Sequence, residues 1–300
     1  MTHIKTIMMN KKSRQPFHAF RYTWAVPEGG YRCELAYAID DKGHEAAKPE
    51  MMVFEPTPVG IPRTIARHHD LEETRQTGLF LHFADHVHTS ADVLAFADEY
   101  GDLGKPLTGG VLPKAKGEPA LCVGSAVSAW LRESAAMRRL LPLWFTDRKP
   151  EIAFHTTPEQ IIAQWPPSKD VRKPSLETVV RRDVDPNTYE RLTANPSECA
   201  RHYLRAQLNA KLTAYPSNPR LLPEAKALGG VALFIVPSSL IASLWLQLSL
   251  AIDGNRQYQP CKHCKRWFQI GDGGRRTDSE TCSSSCRAAA WNKQQKGGAR

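Results

Sequence analysis

The stretch Cys261-Lys262-His263-Cys264, answered by Cys282-Ser283-Ser284-Ser285-Cys286, decides how the chain is read. Two cysteines separated by two residues can reach one ion from a tight turn. A second pair, seventeen residues further on, completes a set of four soft donors. Zinc takes such a set at tetrahedral corners. Of seven cysteines in 300 residues these four crowd together, while Cys33, Cys122 and Cys199 stand alone. The odd total, and the absence of an apolar run from Met1 to Gln15, point away from a secreted disulfide scaffold. A reducing, cytoplasmic setting is expected, where clustered thiols bind metal rather than one another. The spacing predicts one Zn2+ per chain on Cys261, Cys264, Cys282 and Cys286, with His263 a bystander inside the first turn.

Outward from the cysteines, Ser283 reads as an N-cap that places Cys286 on the first turn of a helix. The positive end of that helix favours a thiolate there. Arg287 to Lys296 contains neither proline nor glycine and continues the helix. Knuckle, hairpin and helix make a treble-clef-like finger over residues 256–300. So small a unit has little core, and metal supplies much of its stability, about 10–16 kcal/mol of apparent binding energy in comparable peptides. Trp267, Phe268 and Trp291 are expected to form its mini-core, although aromatics near basic residues can also stack on bases.

The finger also carries the charge. The chain has a net charge of +9, and ten basic against three acidic residues between 256 and 300 account for seven of it. A localised basic segment is the footprint expected of a nucleic-acid contact. Lys265, Arg266, Arg275, Arg276, Arg287, Lys293 and Lys296 are the candidate contacts, and duplex DNA the expected partner. A basic segment can equally face an acidic protein partner, so an interaction module with a structural finger stays open.

The remaining 1–255 reads as an α+β body, β-rich over 15–60 and helical over 70–252. Phe17 to Val26, Tyr31 to Ile39 and Met51 to Phe54, separated by Pro27-Glu28-Gly29-Gly30 and Asp41-Lys42-Gly43, predict a small antiparallel sheet. It needs the helices to cover its apolar face. Thr89 and Asp92 form a capping box ahead of Val93 to Tyr100. The six glycines between Gly101 and Gly124 predict a long loop. Helices are expected from Ser125 to the break at Pro142, after Thr157-Pro158 as far as Pro166-Pro167, and after Pro196-Ser197. Ser168 to Asp185 reads as an exposed insertion. Val231 to Val236 reads as a short strand. Leu240, Ile241, Leu244, Trp245, Leu248 and Ile252 mark a core helix, not a membrane span, because serines and Gln247 interrupt it.

The Leu240-to-Gln247 helix bearing Leu244-Trp245, the first cysteine pair followed by Trp267-Phe268, the Arg275-Arg276 pair and the Cys282-Ser283 step into a basic helix carry a resemblance. From about Leu71 to its C-terminus the chain resembles bacterial proteins with an ABATE-type domain followed by a CGNR-type zinc finger, regarded as stress-induced transcription regulators. It departs from them where Cys286-Arg287-Ala288-Ala289 replaces the Cys-Gly-Asn-Arg tetrad, and in its cysteine spacings. The resemblance implies zinc on the four cysteines and DNA binding by the finger.

Nothing in the sequence marks an enzyme: no serine, cysteine or lysine has an activating neighbourhood, and Asp98-Glu99 and Asp183/Asp185 read as surface acids. His82 and His86, four apart among His68, His69 and His88, could chelate a metal but lack a third ligand. The body would receive a signal or mediate a homodimer. Phe83, Phe96, Trp130 and Trp245 could also line a small-molecule pocket.

Overall fold

A computed structural model describes residues 23–39, 48–54, 65–70, 78–104, 108–112, 120–144, 152–157, 159–164, 176–180, 186–223, 231–271 and 274–297. The architecture is mixed α+β, with seven helices and small antiparallel sheets among these residues.

The N-terminal strands form two units rather than one meander. β1 (Thr23–Pro27) leaves the others and pairs with β4 (Ile65–Asp70), Thr23 opposite Asp70. β2 (Arg32–Ile39) and β3 (Glu50–Phe54) close into an antiparallel ring with β5 (Thr108–Leu112) and β6 (Ala120–Ala126), in the order β2-β3-β6-β5. The expected loop between Gly101 and Gly124 thus contains two strands. Gly124 is required by close approach: a Cβ there would lie 2.0 Å from the Val53 carbonyl oxygen. The earlier part of the first expected strand and the Asp41-Lys42-Gly43 turn lie outside the described residues.

α1 (Leu79–His86) buries Phe80, Phe83 and Ala84, and α2 (Ser90–Tyr100) begins with the expected capping box, in which both reciprocal bonds between Thr89 and Asp92 are made. α3 (Val127–Trp144) runs through Pro142 near its end instead of stopping there. Ser125, the expected start, instead accepts a 2.7 Å hydrogen bond from the Trp130 indole and donates to Asp102.

The helix expected after Thr157-Pro158 is absent. That segment is a hairpin of β7 (Ala153–Thr156) and β8 (Gln160–Gln164), extended by β9 (Leu176–Val180). Ile161 and Ala163 alternate inward at the two-residue period of a strand. β9 also takes up part of the expected exposed insertion, whose remainder, with Asp183 and Asp185, lies outside the described residues.

α4 (Pro186–Ala194) precedes α5 (Pro196–Ala214), which Asn195 caps through the amides of Ser197 and Glu198. β10 (Ser217–Pro223) and the expected strand β11 (Val231–Pro237) form a two-stranded ribbon. α6 (Leu240–Asp253) starts at Ser239, whose hydroxyl accepts from the Ala242 amide at 3.2 Å, and is buried on all sides from Leu240 to Leu248. Among the described residues no helix is long and apolar enough to cross a membrane. β12 (Gln257–Pro260), β13 (Trp267–Ile270) and α7 (Ser284–Gly297) complete the chain.

The body's core lies between α1, α2, α3, α5 and α6. Phe83, Phe96 and Trp130 pack ring against ring at centroid distances of 5.2–6.2 Å, so this aromatic group is core. A carboxylate sits inside it. Glu133, 3% exposed, accepts from Lys211 Nζ at 2.7 and 2.8 Å, Tyr215 Oη at 2.9 Å and Trp245 Nε1 at 3.0 Å. A buried carboxylate is tolerated when its oxygens are paired and hydrogen-bonded in this way. The cluster fastens α3 to α5, α6 and the residue after α5.

Candidate metal centre and basic cleft

The hairpin of β12 and β13 presents its connecting turn as the first half of the site. Cys261 N donates to Arg266 O, and Lys265 N to Cys261 O, both at 2.9 Å. This closes the knuckle and places Lys265 at a left-handed φ of 62°. The second half is the start of α7. Cys286 N donates to Ser283 Oγ at 3.1 Å, the expected cap, so Cys286 stands on the first turn. Between the halves, Arg275 Nε donates to Cys282 O at 2.8 Å and Lys262 N to Glu280 O at 2.9 Å.

These contacts bring the sulfurs of Cys261, Cys264, Cys282 and Cys286 within 4.8 Å of one another. Cys282 Sγ lies 3.5 Å from both Cys264 Sγ and Cys286 Sγ. That separation is far beyond a disulfide bond. It is close to the edge of about 3.8 Å in a tetrahedron whose centre-to-sulfur distance is that of zinc. His263 is exposed and no part of the cluster. Burial opposes ionisation of Cys261, but the backbone N–H groups of Cys264, Cys282 and His263 point at its sulfur and bring it down to about 6. Burial, then the neighbouring sulfurs, push Cys282 well above the usual thiol range, and burial raises Cys264. Four thiolates repel in so small a volume, and a divalent cation relieves that repulsion. The donor set can hold a metal ion and fits zinc.

The finger is seated on the body. Tyr258 packs against Phe80 and Trp144 at centroid distances of 5.6 and 6.1 Å and belongs to the body's core. Trp267 Nε1 donates to Asp85 Oδ2 at 3.1 Å. A Cβ on Gly78 would come within 2.9 Å of Trp267 Cβ, so the turn before α1 meets the finger backbone closely. Arg266 pairs with Glu99 on α2.

The expected aromatic mini-core is therefore divided. Phe268 is buried, Trp267 packs on the body, and Trp291 is 62% exposed. Too few neighbours surround α7 to cover an indole on its outer face.

The seven candidate contact residues are placed unequally. Arg266 is held by Glu99, and Arg275 supports the Cys282 carbonyl. Lys265 is exposed on the knuckle and Lys293 on α7, while the Lys296 side chain lies outside the described residues. Arg275, Arg276 and Arg287 line a cleft of about 430 Å³ between the 275–281 loop and α7, together with Asp278, Ser279, Glu280, Thr281, Ala290 and Trp291. The side chains of Arg276, Arg287 and Lys293 make no ion pair among the described residues.

In the body, the His82 and His86 rings lie 4.2 Å apart, but no third histidine, cysteine or carboxylate joins them among the described residues. The side chains of His68 and His69 lie outside that set. Asp98 and Glu99 are both engaged: Asp98 accepts from Tyr31 N at 2.7 Å and Glu99 from Arg266.

The fold and site together define a mixed α+β protein with a four-cysteine metal-binding finger. No protein-family model, curated protein or solved structure matches the chain.

Proposed function

We propose that the chain binds one zinc ion through Cys261, Cys264, Cys282 and Cys286, and that the finger so formed binds nucleic acid, in the first instance duplex DNA, in a transcriptional regulator. The observation that carries the reading is that the exposed cations Arg276, Arg287 and Lys293 of the finger make no ion pair among the described residues, and that two of them line one cleft. Cations left without internal partners are available to phosphates. The resemblance to CGNR-type fingers agrees with this. The body on this reading has no catalytic role and serves for effector or homodimer contact.

The salt dependence of binding tests it. Three to five neutralised phosphates give a slope of log K against log salt of about −3 to −4.5 for duplex DNA. Zinc-loaded protein that retards neither random nor genomic fragments at low salt refutes the DNA reading. Metal content tests the zinc, with one equivalent per chain expected and loss on Cys282→Ser.

The seating of Tyr258 and Trp267 on the body favours a second reading, in which the finger is a structural cap on the core. On that reading zinc removal destabilises the body and no nucleic acid binds.

A further inference from the structure

We propose that the cleft between the 275–281 loop and α7 takes one unpaired nucleotide, its base against the indole of Trp291 and its phosphate between Arg276 and Arg287. The proposal rests on the nucleic-acid reading above and narrows it from backbone contact to a base-binding subsite.

Trp291 is the starting point. An indole 62% exposed on α7 leaves most of its apolar surface open to solvent. Arg287 and Trp291 are four residues apart on α7, so they stand one above the other on the same face. Ala290, also on the cleft, is too small to fill the space beside them. Arg276 reaches the cleft from the facing loop, and that loop is fixed: Gly271 N donates to Arg275 O at 2.8 Å and Arg275 N to Gln269 O at 2.9 Å. A flat apolar surface and two unpaired guanidinium groups therefore line one concavity of about 430 Å³. That volume lies within the range of small-ligand sites, about 300–1,000 Å³.

The chemistry that matches is a planar ring joined to an anion. Indoles bind bases through their π-faces, and guanidinium groups bind phosphate bidentately. In a duplex the base faces are stacked on one another and only edges are offered in the grooves, so the indole has no partner there. A single strand, a bulge or a flipped base offers the face. Asp278 and Glu280, both on the cleft, repel a second phosphate, and Asp278 supplies an acceptor of the kind exocyclic amino groups seek. The mixed lining suits a single base with its own phosphate better than a run of phosphates alone.

The test uses zinc-loaded full-length protein and fluorescence anisotropy at low salt. Three labelled probes are compared: a short mixed-sequence single strand, its duplex, and that duplex with one bulged nucleotide. Trp291→Ala is expected to weaken the single strand and the bulged duplex by about 5- to 150-fold, the range of one stacked base, and to leave the plain duplex within about twofold. Trp291→Phe should restore most of the loss. Arg276→Gln combined with Arg287→Gln should weaken all three probes. Equal effects of Trp291→Ala on every probe, or none on any, overturn the base-binding subsite while leaving the nucleic-acid reading intact. Polyglutamate competing as well as the single strand assigns the cleft to acidic peptides and overturns it too. Wild-type protein that binds none of the probes refutes the nucleic-acid reading itself, and the subsite with it.

Discussion

Glu133 in the body and the four thiols of the finger are both places where the fold draws negative charge inward, and each is balanced differently. Around Glu133 the chain supplies every partner itself: an ammonium, a phenol and an indole converge from three separate positions. Around Cys282, burial first and then the neighbouring sulfurs make ionisation harder. The carboxylate of Glu133 is balanced by the chain's own donors, whereas the four-cysteine cluster can take a metal ion. The difference follows from size. Enough helices meet at Glu133 to surround a carboxylate with side-chain donors, while at the four thiols a hairpin and one helix bring chiefly backbone N–H groups and the other sulfurs.

Metal removal should separate the two regions most sharply. A chelator, or Cys282→Ser, is expected to abolish protection of the amides from Cys282 through α7 in hydrogen exchange while α6 keeps its protection. The magnitude at stake is large, about 10–16 kcal/mol in comparable zinc-binding peptides. Equal loss of protection in α6 would show that finger and body unfold as one unit, and would break the comparison.

Glu133→Ala is the matching experiment on the body. It leaves the Lys211 ammonium, the Tyr215 hydroxyl and the Trp245 indole facing an emptied site, and should cost about 3–5 kcal/mol by urea unfolding. Zinc content should not change. A cost below 1 kcal/mol would mean that water replaces the carboxylate and that the cluster does not hold the helices together.

How much of this was legible in the sequence depended on range. The capping box at Thr89 and Asp92, the core helix from Leu240 and the cap at Ser283 are local, and residues three or four apart suffice to read them. The cluster of four cysteines was legible for a similar reason, since each pair is close in sequence. Strands β5 and β6 pair with each other, but their glycine-rich stretch gives no sign of the ring they close with β2 and β3, about 70 residues earlier, and Gly124 shows its purpose only against the Val53 carbonyl. The hairpin of β7 and β8 was hard to read because Thr157-Pro158 has the sequence of a helix start, and the alternation of Ile161 and Ala163 is short. Glu133 gave no signal, because its partners are 78 to 112 positions away. Trp291 was misplaced because composition counts aromatics without showing that α7 leaves this one uncovered.

The seam between the two regions should show smaller effects. His82 lies against Phe96 and Tyr100 and feels His86, Glu99, Arg266 and Asp85. Burial first, then the charge of His86, lower it to about 4. The folded state therefore holds His82 neutral where an unfolded chain protonates it. Its contribution to stability is complete above about pH 6.5, the value of a free histidine, and is lost as the pH falls through about 4. Zinc loss also weakens the finger in acid, so the measurement is a difference. The urea midpoint of wild type should fall faster than that of His82→Gln between pH 6.5 and pH 4. Parallel slopes would show that protonation of His82 opens no contact in the seam.

The weakest link is the ion pair between Arg266 and Glu99, whose side chains are 50% and 35% exposed. Water screens such a pair, so Glu99→Gln should cost no more than about 1 kcal/mol. Its value lies in what it separates. Tyr258 is inside the body's core, and if apolar burial seats the finger, Glu99→Gln will leave amide protection in β12 and β13 unchanged. If the pair orients the finger instead, protection across Trp267 to Ile270 will fall although global stability barely moves. The second result would make the finger a unit steered by one surface charge; the first makes it an extension of the core that carries its metal at the far end.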